Sequence, residues 1–139
     1  MKIAIGTDDK KTIRNGHFGQ SLFYHIVELI NGEIVSETYR ENVHVQGAEG
    51  RLPHAQVEKI IDLLGDCSLF MAKNMGKTSL AQLAAHHIDC IITDIDILDQ
   101  ALSEYLYGKE DVFRYYDASK AKLVSCSQRM MNTLNPVKG

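Results

Sequence analysis

The chain has 139 residues, 45% hydrophobic and 24% charged, with a formal net charge of -3. That size suits one domain around one core. The mild acidity speaks against a dedicated nucleic-acid binder, which is usually basic, and no apolar run is long enough to cross a membrane.

The amino terminus enters a strand pattern at once, without the sections of a secretory leader, so a cytoplasmic protein is expected. Cys67, Cys90 and Cys126 are widely spaced and form no CxxC pair. Neither a disulfide framework nor a four-cysteine zinc site is indicated.

Lys2 to Asp8 reads as the first strand. Asn15-Gly16-His17-Phe18-Gly19 follows on the loop that leaves it. A histidine between glycines on such a loop reaches solvent at the strand's carboxyl end, where function concentrates. Glycine there permits unusual backbone angles and close approach of a ligand, and neutral imidazole ligates soft and borderline metals.

Leu22 to Ile30 is a long apolar strand, and Glu33 to Tyr39 follows it across Asn31-Gly32. That dipeptide predicts a type I′ hairpin turn, which needs positive φ twice. Apolar residues at both parities, Phe23, Val27 and Leu29 against Tyr24, Ile26 and Ile30, predict a sheet covered on both faces. Asn42 to Leu52 is a polar loop with Gly47 and Gly50. Pro53 suits the start of a helix, whose stripe is Val57, Ile60, Ile61 and Leu64, and Gly65 ends it.

Cys67 to Ala72 reads as a buried strand and Lys73 to Thr78 as a loop. Ser79 with Gln82 gives a capping-box pattern for a second helix, with Leu80, Leu83, Ala84 and His87 as its stripe. Asp89 to Thr93 is another buried strand, and a third helix runs from about Asp96 to Leu106. The order β-β-β-α-β-α-β-α predicts parallel pairing in the second half and a three-layer α/β sandwich around a mixed five-stranded sheet.

Residues 108–139 read as an extension, packed on or trailing from the domain of residues 1–107. Phe113 to Tyr116 and Leu123-Val124 form short strands or pack as a tail. The basic residues Arg114, Lys120, Lys122, Arg129 and Lys138 are a solvated surface; the functional alternative is a docking tail for an acidic partner.

The stretches Ile3 to Asp8, Gly16 to Gly19 and Phe23 to Ile30, with Leu69-Phe70-Met71 and His87-Ile88-Asp89 further on, resemble the dinitrogenase iron-molybdenum cofactor biosynthesis family. That group includes NifX-type carriers, the NafY core and the C-terminal part of NifB-type proteins. The resemblance covers roughly residues 1–106. It implies an RNase H-like fold that binds iron-sulfur or molybdenum-iron-sulfur clusters as transient cargo without catalysis, passed between cluster-donating and cluster-accepting proteins. The family's cluster-contacting histidine corresponds to His17. The loop Lys73 to Lys77 departs from the family pattern in being more basic.

In this architecture the sheet order is 3-2-1-4-5, and a ligand crevice belongs at the carboxyl ends where the order reverses. Gly16, His17, Phe18 and Gly19 come from one exit loop; Lys73, Asn74, Met75, Gly76 and Lys77 come from the other. They are predicted to face each other, with His17 as metal ligand. Lys73 and Lys77 offset the charge of a sulfide-rich cluster, or are solvated loop lysines. His17 read alone is a turn-capping histidine, and one imidazole holds a cluster only loosely.

The other candidates are weaker. Gly76-Lys77-Thr78 lacks the upstream glycine of a phosphate loop, because Met71 occupies that position. Cys67 and Cys90 sit at strand starts and read as small buried residues, while Cys126 stays open. Met71 reads as core and Met75 as a residue that reaches the crevice. His86 and His87 are adjacent and point apart, His87 packing and His86 exposed. His25 reads as core; His44 and His54 flank the polar loop.

Two other functions compete with the carrier. Asp8 and Asp9, with Asp94 and Asp96, raise a metal-dependent nuclease or phosphodiesterase. An intervening strand separates the pairs by about 10 Å, so Asp94 or Asp96 reads as a helix N-cap and Asp8 and Asp9 as turn residues. The third possibility is an interaction module without cargo.

Overall fold

The computed structural model describes residues 1–45, 57–108 and 110–125. Its elements are β1 (Lys2–Thr7), β2 (Phe23–Ile30), β3 (Glu33–Glu41), α1 (Val57–Leu64), β4 (Leu69–Ala72), α2 (Lys77–Ala85), β5 (Asp89–Thr93), α3 (Leu98–Leu106), β6 (Phe113–Asp117) and β7 (Lys122–Ser125). Short 3-10 turns stand at Phe18–Gln20 and Glu110–Val112. Pro53, His54 and Cys126 lie outside the described residues.

The strands form one mixed sheet in the order β3-β2-β1-β4-β5-β6-β7. β1 runs parallel to β4, pairing Ile3, Ala4 and Ile5 with Leu69, Phe70 and Met71, and β4 runs parallel to β5. The β1–β2, β2–β3, β5–β6 and β6–β7 pairs are antiparallel. Strand alternation sends Ala4, Tyr24, Ile26 and Phe70 to one face, under Ile60 and Leu64 of α1 and Leu80 and Leu83 of α2. Ile3, Ile5, Val27 and Met71 go to the other, under Leu98, Ala101 and Leu102 of α3. Each of the Ile, Leu, Val, Phe and Met side chains among these stabilises the fold by roughly 1.5–3 kcal/mol relative to exposure.

The Asn31-Gly32 turn has positive φ at both residues, 53° and 79°, as the dipeptide predicts. The first five strands, β1 to β5, follow the expected order, but the sheet has seven strands rather than five. The added hairpin lacks a glycine turn. Asp117 Oδ1 accepts from the backbone N–H of Ser119 and Lys120 and from the Ser119 hydroxyl, and Ala121 adopts φ 53°. An Asx-turn of this kind leaves a weaker sequence signal than Asn-Gly.

Three helix expectations are corrected. α2 begins at Lys77 with Gly76 at its N-cap, so Ser79 lies inside the helix and caps nothing. α3 begins at Leu98 with Ile97 at its N-cap, so neither Asp94 nor Asp96 caps it. His87 does not pack; it is exposed, beyond the end of α2. The Ile88 N–H donates to the Leu83 carbonyl and the His87 N–H to the Ala84 carbonyl. That is a Schellman closure with His87 in the left-handed position, at φ 63°. A left-handed L-residue costs about 1–2 kcal/mol. His87→Gly is therefore expected to raise stability by about 1 kcal/mol in urea unfolding.

Arg40 of β3 donates two bonds of 2.6 Å to Asp66, and Lys2 of β1 donates one of 3.1 Å. The Arg40 guanidinium holds the Asp66 carboxyl well below the usual carboxylate range. In the loop after β1, the backbone N–H groups of Thr12 and Lys11 hold Asp9 at about 2. Folding favours both charged forms. Their stabilisation is therefore complete above the ordinary carboxylate value, near 4, and lost as pH falls toward 2. Urea midpoints are expected to drop below about pH 4. Asp66→Asn should make that drop shallower and cost about 1 kcal/mol at neutral pH, an estimate kept small because the pair is partly exposed.

Candidate functional site

The chain leaves β1 through a loop fixed at both ends. The Thr7 hydroxyl donates to the Thr12 carbonyl at 2.6 Å, and Asp9 accepts from the Thr12 hydroxyl at 2.8 Å. Asp8 accepts from Arg14 at 2.5 Å and from the Leu22 N–H at 3.0 Å. Arg14 Nε then donates to the His17 carbonyl at 3.1 Å, which also accepts from the Gln20 N–H at 3.1 Å. His17 itself is exposed on this loop.

The next residue anchors the loop in the core. Phe18 is buried, stacked on Phe70 at 4.8 Å between ring centroids and tilted on Tyr24 at 4.9 Å. Its carbonyl accepts from the Ser21 and Tyr24 hydroxyls, both at 2.8 Å. Burial pushes the Tyr24 hydroxyl up from its ordinary value, so it stays a donor. Gly6 of β1 passes directly beneath: a Cβ there would lie 2.2 Å from Ser21 Oγ. Gly16, Gly19 and Gly76 do not adopt positive φ, so the unusual backbone angles expected of the motif glycines are not used.

Asn42, just past β3, ties this loop from the other side. Its Nδ2 lies 3.0 Å from the Gly19 carbonyl, 2.9 Å from the Ser21 carbonyl and 3.2 Å from the Tyr24 hydroxyl. Its Oδ1 accepts from the His44 N–H at 3.1 Å.

The second exit loop, after β4, joins the first. His17 forms a parallel β-bridge with Asn74. Beyond the bridge opens a cavity of about 280 Å³ lined by His17 to Gln20, Met75 to Ser79, Val57 and Ile60 of α1, and Leu83 of α2. The first turn of α2, Lys77 to Ser79, forms one wall, and no side chain caps this terminus. A helix N-terminus carries about half a positive charge. None of the described lining residues is Asp, Glu or Cys.

Of the predicted residues, His17, Phe18, Gly19, Met75, Gly76 and Lys77 line this cavity, while Gly16, Lys73 and Asn74 do not. Asn74 makes the bridge. Lys73 forms an ion pair with Asp96, which leaves Lys77 as the lining cation among the described residues. Gln20, Thr78, Ser79 and the walls from α1 and α2 were not foreseen, nor were the supports Arg14 and Asn42. Among the described residues no group of three or more His, Cys, Asp or Glu could hold a metal ion. Cys67 and Cys90 are buried, and burial pushes their thiols to about 11 and about 12. His25 is buried against Tyr39, bonded to Glu37 at 2.8 Å. Asp94 lies 3.6 Å from Arg114.

A family model described as dinitrogenase iron-molybdenum cofactor matches residues 1–108. The chain belongs to this family. The match ends before β6, and the β6–β7 hairpin lies beside β5 in the sheet. No curated protein matches the chain.

Solved structures share the fold of this dinitrogenase iron-molybdenum cofactor domain. PH0822 aligns with a TM-score of 0.62 at 14% identity, over 78% of this chain and 92% of its own. The crystal structure of mj0327 from Methanocaldococcus jannaschii aligns at 0.59 and 17%, over 90% and 93%. TM1290 from Thermotoga, of the DUF35 family, aligns at 0.57 and 14%, over 78% and 89%. No described helix is long and apolar enough to cross a membrane.

Proposed function

We propose that this family member is a non-catalytic carrier for an iron-sulfur or molybdenum-iron-sulfur cluster, or its precursor, bound reversibly in the cavity beside His17. The observation that carries this reading is the His17–Asn74 bridge, which brings both exit loops to one cavity. A sulfide-rich cluster is anionic. The uncapped α2 terminus and Lys77 supply opposing charge, and backbone amides of Gly76 to Ser79 are suited to hydrogen-bond its sulfurs. Tight cluster sites use several thiolates. One imidazole with no thiolate among the described lining residues favours release, which suits exchange between donor and acceptor proteins in the cytoplasm. On this reading the fold is RNase H-like, and residues 108–139 are an extension of the cluster-binding domain.

The nuclease reading is not favoured. Asp8 is engaged with Arg14 and Leu22, and Asp9 with the Thr12 turn, so both carboxylates already serve the loop. Anaerobic titration with a reconstituted iron-sulfur cluster, followed by absorption and metal analysis, tests the carrier. Wild type should gain a visible charge-transfer band, and His17→Ala should bind at least tenfold more weakly. Equal binding by both proteins removes His17 from the site, and no band in wild type removes the carrier reading. Nuclease activity with magnesium or manganese that Asp8→Asn abolishes would reverse the ranking.

A further inference from the structure

The cavity offers a metal two soft donors, one from each exit loop. His17 brings an imidazole nitrogen and Met75 a thioether sulfur. The bridge between His17 and Asn74 fixes the first loop beside the residue that precedes Met75. Met75 is partly buried against the core yet still lines the cavity. Met71, on β4, is 0% exposed and belongs to the core beneath α3. The two methionines thus occupy different chemical settings: one is wholly packing, the other borders open volume.

The remaining lining groups narrow what these donors can hold. With Lys77 and a helix N-terminus present and no carboxylate among the described lining residues, the described walls give a bare hard dication no compensating charge. Thioether and imidazole are neutral donors suited to soft or borderline metals, including the iron of sulfide clusters and cuprous ion. We infer that the Met75 thioether is a second protein contact to the metal of the cargo, from the loop that the bridge sets beside His17. This rests on the carrier reading. It adds that the site takes a soft or borderline metal centre through two neutral donors rather than one.

The test uses the full chain carrying Cys126→Ser, labelled with [13C-methyl]methionine, and silver(I) alone as a diamagnetic soft-metal probe. Met75→Leu keeps the volume nearly constant and identifies the Met75 resonance by its loss. One equivalent of silver(I) should shift the Met75 methyl in step with the His17 ring signals and leave Met71 in place. In the anaerobic cluster titration, Met75→Leu should weaken binding about tenfold with its unfolding midpoint close to wild type. If the His17 signals move while Met75 stays, or if Met75→Leu binds cluster like wild type, Met75 is only a wall and the carrier reading stands. If neither residue responds and His17→Ala also binds cluster like wild type, His17 leaves the site and this inference falls, whereas the carrier reading itself falls only if wild type gains no charge-transfer band.

Discussion

Asn42→Ala is expected to cost about 3 kcal/mol in urea unfolding at neutral pH. Asn42 is 0% exposed, and its amide serves the Gly19 and Ser21 carbonyls while its oxygen serves the His44 N–H. Alanine fills none of these roles. Each buried polar group left without a partner costs about 1–3 kcal/mol, and the two carbonyls set the scale. The Tyr24 hydroxyl loses least, because it still donates to the Phe18 carbonyl at 2.8 Å. Asn42→Asp is the sharper comparison. It keeps an acceptor for His44 but turns a carboxylate toward two carbonyls, so it should destabilise at least as much as alanine. A cost below about 1 kcal/mol for Asn42→Ala would mean that water replaces the amide and that Asn42 does not hold the His17 loop.

Asn42 also marks the limit of what this sequence makes legible. A polar residue after an alternating strand looks the same whether it enters solvent or the core. Only the folded return of residues 18 to 24 against the end of β3 decides it. The hairpin was legible because Asn-Gly states its own backbone geometry, confirmed by φ of 53° and 79°. The parallel order of β1, β4 and β5 was legible because apolar runs alternate with helical stripes, and from that order the meeting of the two exit loops followed.

The failures share a cause. Ser79 and Gln82 have the spacing of a capping box, yet the loop is docked by the His17–Asn74 bridge, and Gly76 in an extended conformation already starts the helix. His87 continues an apolar stripe in register, yet the chain turns left-handed there without a glycine to announce it. In both places tertiary contact overrides a local pattern. The depth of the cavity was hidden for a related reason: Val57, Ile60 and Leu83 read as ordinary core positions, and only their packing leaves a gap above Phe18.

Phe18→Ala should be the most damaging change in the motif, at about 3–5 kcal/mol. The ring is the one part of the loop that belongs to both the core and the cavity. Its stacking on Phe70 and its tilted contact with Tyr24 add to the area it buries. Alanine would join the vacated space to the existing cavity of about 280 Å³. A void open on one side admits water more readily than a sealed one, which places the expected loss near 3 kcal/mol rather than 5. Phe18→Leu retains most of the volume and should cost about 1–2 kcal/mol, leaving a protein folded enough to load. Under the carrier reading, Phe18→Leu should still bind cluster, only more weakly, because the residue before it has lost its flat anchor. Binding abolished in Phe18→Leu despite a modest change in urea midpoint would show that the ring itself faces the cargo. Binding unchanged would show that the Arg14 and Asn42 bonds suffice to hold the His17 loop.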